Sequence, residues 1–264
     1  MSWTSGLSDG VIIVVSIEPL SLVAIISIGA GVGFLGGLLG KGGSAIATPA
    51  LLAIGLPPAV ALASPLPATV PGTLVAANRY RHAGLIDRRT LVWSIGVGVP
   101  ATILGAAATR WVDATALVTV TEILLVAIGV RLLLAKATVE TDEPELVGLL
   151  PMVAVAGVTG VAAGLLANSG GFLLAPLFVT VLGMAIKPAL GTSLAVASVL
   201  AVPASVIHLL LGHLDLTVVM AFALGAVPLS SLGARVALQV DSSRLERGYG
   251  LMLVIMGVGF LITG

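Results

Sequence analysis

Apolar residues run through this chain in long stretches that short polar or glycine-rich segments interrupt. Long stretches contain no Asp, Glu, Lys or Arg, among them residues 19–40, 42–78, 146–186, 188–214 and 216–234. Each is near or above the roughly 20 apolar residues that a helix needs to cross the core of a bilayer. The pattern therefore predicts an all-α polytopic membrane protein.

The same pattern predicts about five helical segments in each half of the chain. In the first half they cover residues 20–40, 44–54, 60–78, 91–109 and 114–135, and in the second half 147–166, 172–182, 188–209, 216–238 and 245–263. The segments 44–54 and 172–182 would be only about 16 Å long at ~1.5 Å per residue. We expect these two to be half-helices that complete broken spans, and whether they cross the bilayer fully is left open.

The two halves share a sequence pattern that indicates an internal duplication. At an offset of 127 residues, segment 37–49 matches segment 164–176 at its first glycine, its Leu-Leu pair and its proline. An offset of 128 pairs further positions: Asp87 with Asp215, Asp113 with Asp241, and Pro100 with Pro228. The predicted organisation is a lead segment (1–19), a first membrane repeat (20–135), a polar cytoplasmic linker (136–146) and a second membrane repeat (147–264).

The placement of charges predicts that the two structural repeats are inverted relative to each other. Loop 79–89 carries four arginines, whereas its counterpart, loop 207–217, carries no Lys or Arg. Conversely, three arginines cluster around Asp241 and only one lies near Asp113. Cytoplasmic loops are enriched in Lys and Arg, so corresponding loops should face opposite sides. Eight full crossings with parallel halves are the alternative, which these charges oppose.

Two glycine-rich interruptions predict the binding site. The first consists of Lys41, Gly42, Gly43 and Ser44, and the second of Asn168, Ser169, Gly170 and Gly171. Unwound backbone is tolerated at membrane depth only where it lines a cavity or is buried in protein. Free N–H groups at a new helix start, aided by the helix dipole, bind anions. We therefore predict a small anion held between two half-helix N-termini, with a positive charge from Lys41. Turn formation by the glycines, and a Lys41 that extends to the membrane surface, are the structural alternatives.

Other polar residues are weaker candidates. Ser64, Thr192 and Ser193 could complete the hydrogen bonds of the anion or simply cap their helices. Glu122 lies within an otherwise apolar helix, where an ionisable group is a functional candidate by default. It could carry a coupling proton or pair with Arg110.

Glycines with helical spacing predict close helix packing rather than ligand binding. Gly29, Gly33 and Gly37 recur every fourth residue, and Gly160 with Gly164 repeats this spacing. Small residues four positions apart let the backbones of neighbouring membrane helices approach closely.

Composition limits the chemistry. The chain is 58% hydrophobic and 9% charged and contains no Cys, so disulfide and thiolate chemistry is excluded. The N-terminus lacks a basic region followed by a cleavage site, so no removable signal peptide is expected. Neither an H-E-x-x-H nor a G-x-S-x-G motif occurs. We expect no enzyme activity, cofactor, metal or nucleic-acid partner; the expected partners are the bilayer and a small anion, and the oligomeric state is left open.

Five motifs carry a resemblance to a known family: GFLGGLLGKGGS at 33–44, LPP at 56–58, NRYRHAGLID at 78–87, ANSGGFLLAP at 167–176 and LGTS at 190–193. On these motifs the chain resembles the sulfite exporter TauE/SafE family of prokaryotic membrane permeases. The resemblance implies a multi-pass plasma-membrane transporter of sulfite, sulfonates, sulfoacetate or related small organosulfur anions. The chain departs from the family pattern at Lys41 and at the Ser64-Pro65 pair.

The sequence thus favours a secondary transporter in which one repeat moves against the other to give alternating access. Export is favoured because an inside-negative potential contributes ~2.3 kcal/mol per charge per 100 mV to the exit of an anion. A passive anion channel built on the same half-helices is one alternative. A proton-coupled importer that uses Glu122 is the other.

Overall fold

The computed structural model is a bundle of α-helices and describes residues 19–40, 44–108, 123, 126–134, 148–165, 171–210 and 212–263. The first half contains α1 (Pro19–Leu39), α2 (Ser44–Ala53), α3 (Pro58–Ala63), α4 (Pro65–His82), α5 (Arg88–Ala108) and α6 (126–134). The second half contains α7 (Leu149–Leu165), α8 (Gly171–Thr180), α9 (Ile186–Leu210), α10 (Leu216–Gln239) and α11 (Ser242–Thr263). The described ranges include no β-strand longer than a single bridge residue. The predicted linker 136–146 and nearly all of the lead segment 1–19 lie outside them.

Five helical segments within the described ranges are long and apolar enough to cross a membrane. They are α1, α3 together with α4, α5, α9 and α10. Large apolar side chains point away from the bundle, and Leu20, Leu134 and Leu150 are each 80% exposed. Such a surface is stable only where lipid covers it. The prediction of an all-α, multi-pass membrane protein is therefore confirmed.

Gly40 and Ser64 mark two different positions in the first half. Gly40 follows the end of α1 with φ at +67°, a conformation that ends helices and that glycine adopts without strain. Ser64 lies between α3 and α4 but keeps helical backbone, with φ at −61° and ψ at −29°, so the two helices together form one span over Pro58–His82, where the sequence predicted one segment over 60–78. Pro65 has no N–H to donate, so one helix hydrogen bond is missing at this point.

Helix contacts made by α1 with α10 are repeated by α7 with α5. In each contact a glycine of one helix lies against the backbone of the other helix. Between α1 and α10 the contacts are Gly33 with Ala226, Gly37 with Ser230 and Gly233 with Phe34. Their counterparts between α7 and α5 are, in the same order, Gly160 with Gly98, Gly164 with Thr102 and Gly105 with Val161. Each residue and its counterpart differ by the sequence offset of 127 or 128. The predicted packing role of the spaced glycines, including Gly29 against Phe222, is confirmed.

Two reciprocal hydrogen bonds tie each half to a loop of the other half. The backbone N–H of Asp215 donates to Ser64 Oγ at 3.1 Å, and that of Asp87 donates to Thr192 Oγ1 at 3.0 Å. Each aspartate carboxylate also accepts a hydrogen bond from the backbone N–H three residues later, so it caps α10 or α5. At the offset of 128, Ser64 corresponds to Thr192 and Asp87 to Asp215. The first half therefore makes to the second half the same hydrogen bond that the second half makes to the first.

These contacts place the arginine-rich loop 79–89 and its counterpart, loop 207–217, at opposite ends of α4. Ser64 precedes the first residue of α4 and contacts Asp215, whereas loop 79–89 begins at the other end of this helix. The 18 residues of α4 separate these ends by about 27 Å. Lys187 Nζ donates at 3.2 Å to a carbonyl near the end of α10, which adds another basic group at the arginine-rich end.

Candidate functional site

The first helix break lies against α9 of the opposite half. Gly40 packs on α9 so closely that a Cβ at this position would lie 3.0 Å from Leu190 Cα and 2.9 Å from Ser193 Oγ. The Gly40 carbonyl accepts a hydrogen bond of 3.1 Å from Ser193 Oγ, and the Ser193 side chain is fully buried. Ser193, a predicted site residue, is therefore adjacent to the break that leads to Lys41.

The other predicted site residues fall into two groups. Ser44 and Gly171 are the first described residues of α2 and α8, and the residues directly before each lie outside the described ranges. The residues that would complete the anion site lie outside the described ranges, as does the proposed proton carrier: Lys41, Gly42, Gly43, Asn168, Ser169, Gly170 and Glu122. The anion site itself stays a prediction.

Ser64 and Thr192 have a structural role that the sequence did not indicate. Both are fully buried and accept the hydrogen bonds from Asp215 and Asp87 that join the halves. Ser64 makes no capping hydrogen bond at the start of α4. That they bind the anion stays a prediction, whereas their hydrogen bonds between the two halves are seen in the structure.

A cavity of about 20 Å³ lies between α1, α4 and α10, which is room for one water-sized or methyl-sized group. Gly36 and Gly37 of α1 and Gly72 of α4 form part of its wall, and Leu194 borders it on the side of α9. Gly37 is only three residues before Gly40, and Leu194 follows Ser193 directly. The cavity is therefore next to the first helix break and is lined by both halves of the chain.

Three buried hydroxyl groups, those of Thr69, Thr73 and Ser230, provide the polar side chains of the cavity. Each donates to a carbonyl one turn earlier in its own helix, at 3.1, 2.7 and 2.8 Å respectively. A hydroxyl has one proton to donate, so these groups offer only acceptor lone pairs to the cavity. Sequence reasoning missed them. The available signal was Thr69 and Thr73 at a spacing of four, which places both on one face of α4 together with Gly72.

A family model and two related proteins match this chain, and all of them describe membrane transport proteins. The sequence matches the family described as "Sulfite exporter TauE/SafE" over residues 25–260. A protein of Xylella fastidiosa strain 9a5c named "Probable membrane transporter protein" is 30% identical over 250 residues, which are 90% of this chain and 94% of the relative. A protein with the same name from strain Temecula1 is 29% identical over 247 residues, with the same shares of both chains. No solved structure matches the chain significantly.

Proposed function

Because this chain belongs to the sulfite exporter TauE/SafE family, we propose that it exports small sulfur-containing anions such as sulfite, sulfonates or sulfoacetate. The chain is a multi-pass transporter protein of the bacterial plasma membrane. The substrate class and the mechanism are the proposed part. The observation that carries them is the break between α1 and α2, where Gly40 packs on α9 of the opposite half.

The break supports an anion site through its backbone. A helix that begins at Ser44 presents unpaired N–H groups at the positive end of its dipole, and α8 begins in the same way at Gly171. Lys41 adds a full positive charge to the first break, and Asn168 adds an amide to the second. Two helix starts of this kind can together replace the hydration shell of a small oxyanion.

Matched contacts between the halves support inverted repeats and alternating access. The reciprocal hydrogen bonds of Ser64 and Thr192 are what a two-fold relation between the halves would produce, since each surface then contacts the equivalent of itself. The opposite positions of loops 79–89 and 207–217 fit an axis in the membrane plane, because cytoplasmic loops collect Lys and Arg. Transporters with such repeats bind their solute near the midplane and move one repeat against the other.

Export is the direction that the membrane potential favours for a bare anion. An inside-negative potential of ~150 mV drives anions out of the cell, so a divalent anion that leaves gains about 7 kcal/mol. Uptake against this potential requires a coupled proton or another cation.

A flux measurement with purified protein in sealed vesicles tests the proposed function. We expect saturable sulfite and sulfonate flux that shows counterflow and increases with a potential that drives anions outward. Lys41→Ala should weaken anion binding roughly 10-fold to 100-fold, because a hydrogen bond to a charged group contributes about 1.5–3 kcal/mol. Lys187→Ala is the matched control for loss of a lysine charge, since Lys187 donates to a carbonyl of α10.

Other outcomes separate the alternatives. Flux without saturation or counterflow identifies a passive channel, and uptake that follows a pH gradient identifies a proton-coupled importer. Wild-type affinity in both Lys41→Ala and Lys41→Arg removes Lys41 from the site.

The inverted arrangement has a separate test, which the absence of Cys makes simple. Arg81→Cys and Leu216→Cys place single thiols at exposed positions, one at each end of the bundle. A membrane-impermeant maleimide should label Arg81→Cys from the cytoplasmic face and Leu216→Cys from the outer face. Labelling of both positions from one face would support parallel halves instead.

A further inference from the structure

At the matching position of the second half, a side chain occupies the space that is open in the cavity beside the first break. At the offset of 128, Gly72 corresponds to Leu200, and Ala226 in the cavity wall corresponds to Gly98. Leu200 is fully buried, and its Cδ2 atom lies 3.1 Å from the place that a Cβ on Gly98 would occupy. A leucine side chain thus fills the space that is empty beside Gly72, although an unfilled cavity weakens packing.

The chemistry of the cavity favours an uncharged group over the charged head of an anion. The hydroxyl groups of Thr69, Thr73 and Ser230 are hydrogen-bonded to helix carbonyls, so in this arrangement their oxygens direct lone pairs at the cavity. The side chains of Leu194 and Phe222 are apolar. A sulfite or sulfonate head would gain a donor there only at the expense of one of these helix hydrogen bonds, whereas an alkyl group or a hydroxyl group would be accepted.

The position of the cavity links it to the predicted anion site. Its wall includes Gly37 in the last turn of α1, and Leu194 borders it beside the Ser193 that bonds to Gly40. One small molecule can therefore place its charged head at the break and its uncharged end in the cavity.

We propose that the cavity between α1, α4 and α10 is a subsite for the uncharged substituent of the transported anion, and that Gly72 sets the size of that substituent. This inference rests on the proposed function, because it requires the charged head to bind at the glycine breaks. The cavity is small, about 20 Å³, and half-open, so it has room for a short substituent. Methanesulfonate and ethanesulfonate should therefore be carried better than propanesulfonate or butanesulfonate.

The test compares sulfite, which has no substituent, with ethanesulfonate in the vesicle assay. Gly72→Ala adds one methyl group 3.3 Å from Ser230 Oγ, a contact that a small shift relieves, so the variant should fold. Sulfite flux is the internal reference, because sulfite has no substituent for the cavity, and the flux of ethanesulfonate is expressed relative to it. The flux ratio of ethanesulfonate to sulfite should fall about tenfold, the usual effect of one carbon in a fitted pocket.

Two further variants make the test specific for size. Gly96→Ala is the control for a glycine-to-alanine change in a helix, because a Cβ at Gly96 has no atom within 4 Å, and its ratio should equal that of wild type. Adding Ser230→Ala to Gly72→Ala removes the crowding oxygen and should restore the ratio.

The remaining outcomes overturn the proposal. An unchanged ratio in Gly72→Ala, an equal loss of sulfite flux, or a double variant that fails to recover would each overturn the subsite alone. Wild-type protein that moves none of the sulfur anions would overturn the proposed function, and the subsite with it.

Discussion

Gly37→Val is expected to prevent stable folding, whereas Gly31→Val, on the same helix, is expected to be tolerated. A Cβ at Gly37 would lie on the carbonyl oxygen of Ser230, and a backbone atom of a packed helix cannot move aside as a side chain can. α1 and α10 would have to separate along their whole contact. A Cβ at Gly31 meets nothing within 4 Å and faces the exterior of the bundle.

The expected loss for Gly37→Val is more than about 4 kcal/mol, in the range reserved for severe core disruption. This corresponds to a fall in Tm of about 10 °C or more for a chain of this size. Thermal unfolding of the detergent-purified variants measures it. Gly164→Val should behave like Gly37→Val, since Gly164 lies against Thr102 in the matched contact. Equal Tm values for Gly37→Val and Gly31→Val would contradict this account of the helix contact.

Gly40→Ala is expected to abolish most anion flux, and Gly55→Ala is expected to leave flux intact. Both glycines have positive φ, +67° and +86°, so alanine at either position costs about 1–2 kcal/mol of backbone strain. Only Gly40 also packs on α9, where the new methyl group would lie 3.0 Å from Leu190 Cα. The break must then move away from α9 and displace Lys41 with it.

The measurement is flux per folded protein together with Tm for each variant. Both variants should lose stability from the shared strain, and Gly40→Ala should lose more because of its contact with α9. Flux should fall by about tenfold to 100-fold only in Gly40→Ala, because the displaced break loses charge-assisted hydrogen bonds worth about 1.5–3 kcal/mol. Equal flux in the two variants would show that contact between Gly40 and α9 has no part in transport.

The helices could be predicted closely from the sequence because their signals are local. The predicted segments 44–54 and 216–238 correspond to α2 (Ser44–Ala53) and α10 (Leu216–Gln239). Glycine, proline and charged residues interrupt the long apolar runs, and each affects the backbone conformation of only the few residues around it. The predicted segment 60–78 likewise corresponds to the single span Pro58–His82, in which Pro65 only removes a local hydrogen bond.

Features that depend on distant residues could not be predicted in the same way. The hydrogen bond from Asp215 to Ser64 joins positions 151 residues apart, and only the folded bundle brings them together. The cavity exists because Gly72 has no side chain, and no sequence motif predicts such a space. Comparison of Gly72 with Leu200 across the repeat could have identified the position. That Ser193 lies beside Gly40 fits its predicted place, whereas the anion site awaits the flux test.

The reciprocal hydrogen bonds have an energetic consequence for any motion in which the halves exchange conformations. If such a motion broke one of these two equivalent bonds at each stage, the inward-open and outward-open forms would be nearly isoenergetic. Neither form would then act as a trap, and net flow would follow the solute gradient and the voltage. One form can be favoured over the other only where the two halves carry different residues at matching positions, such as Lys41 and Asn168 or Gly72 and Leu200.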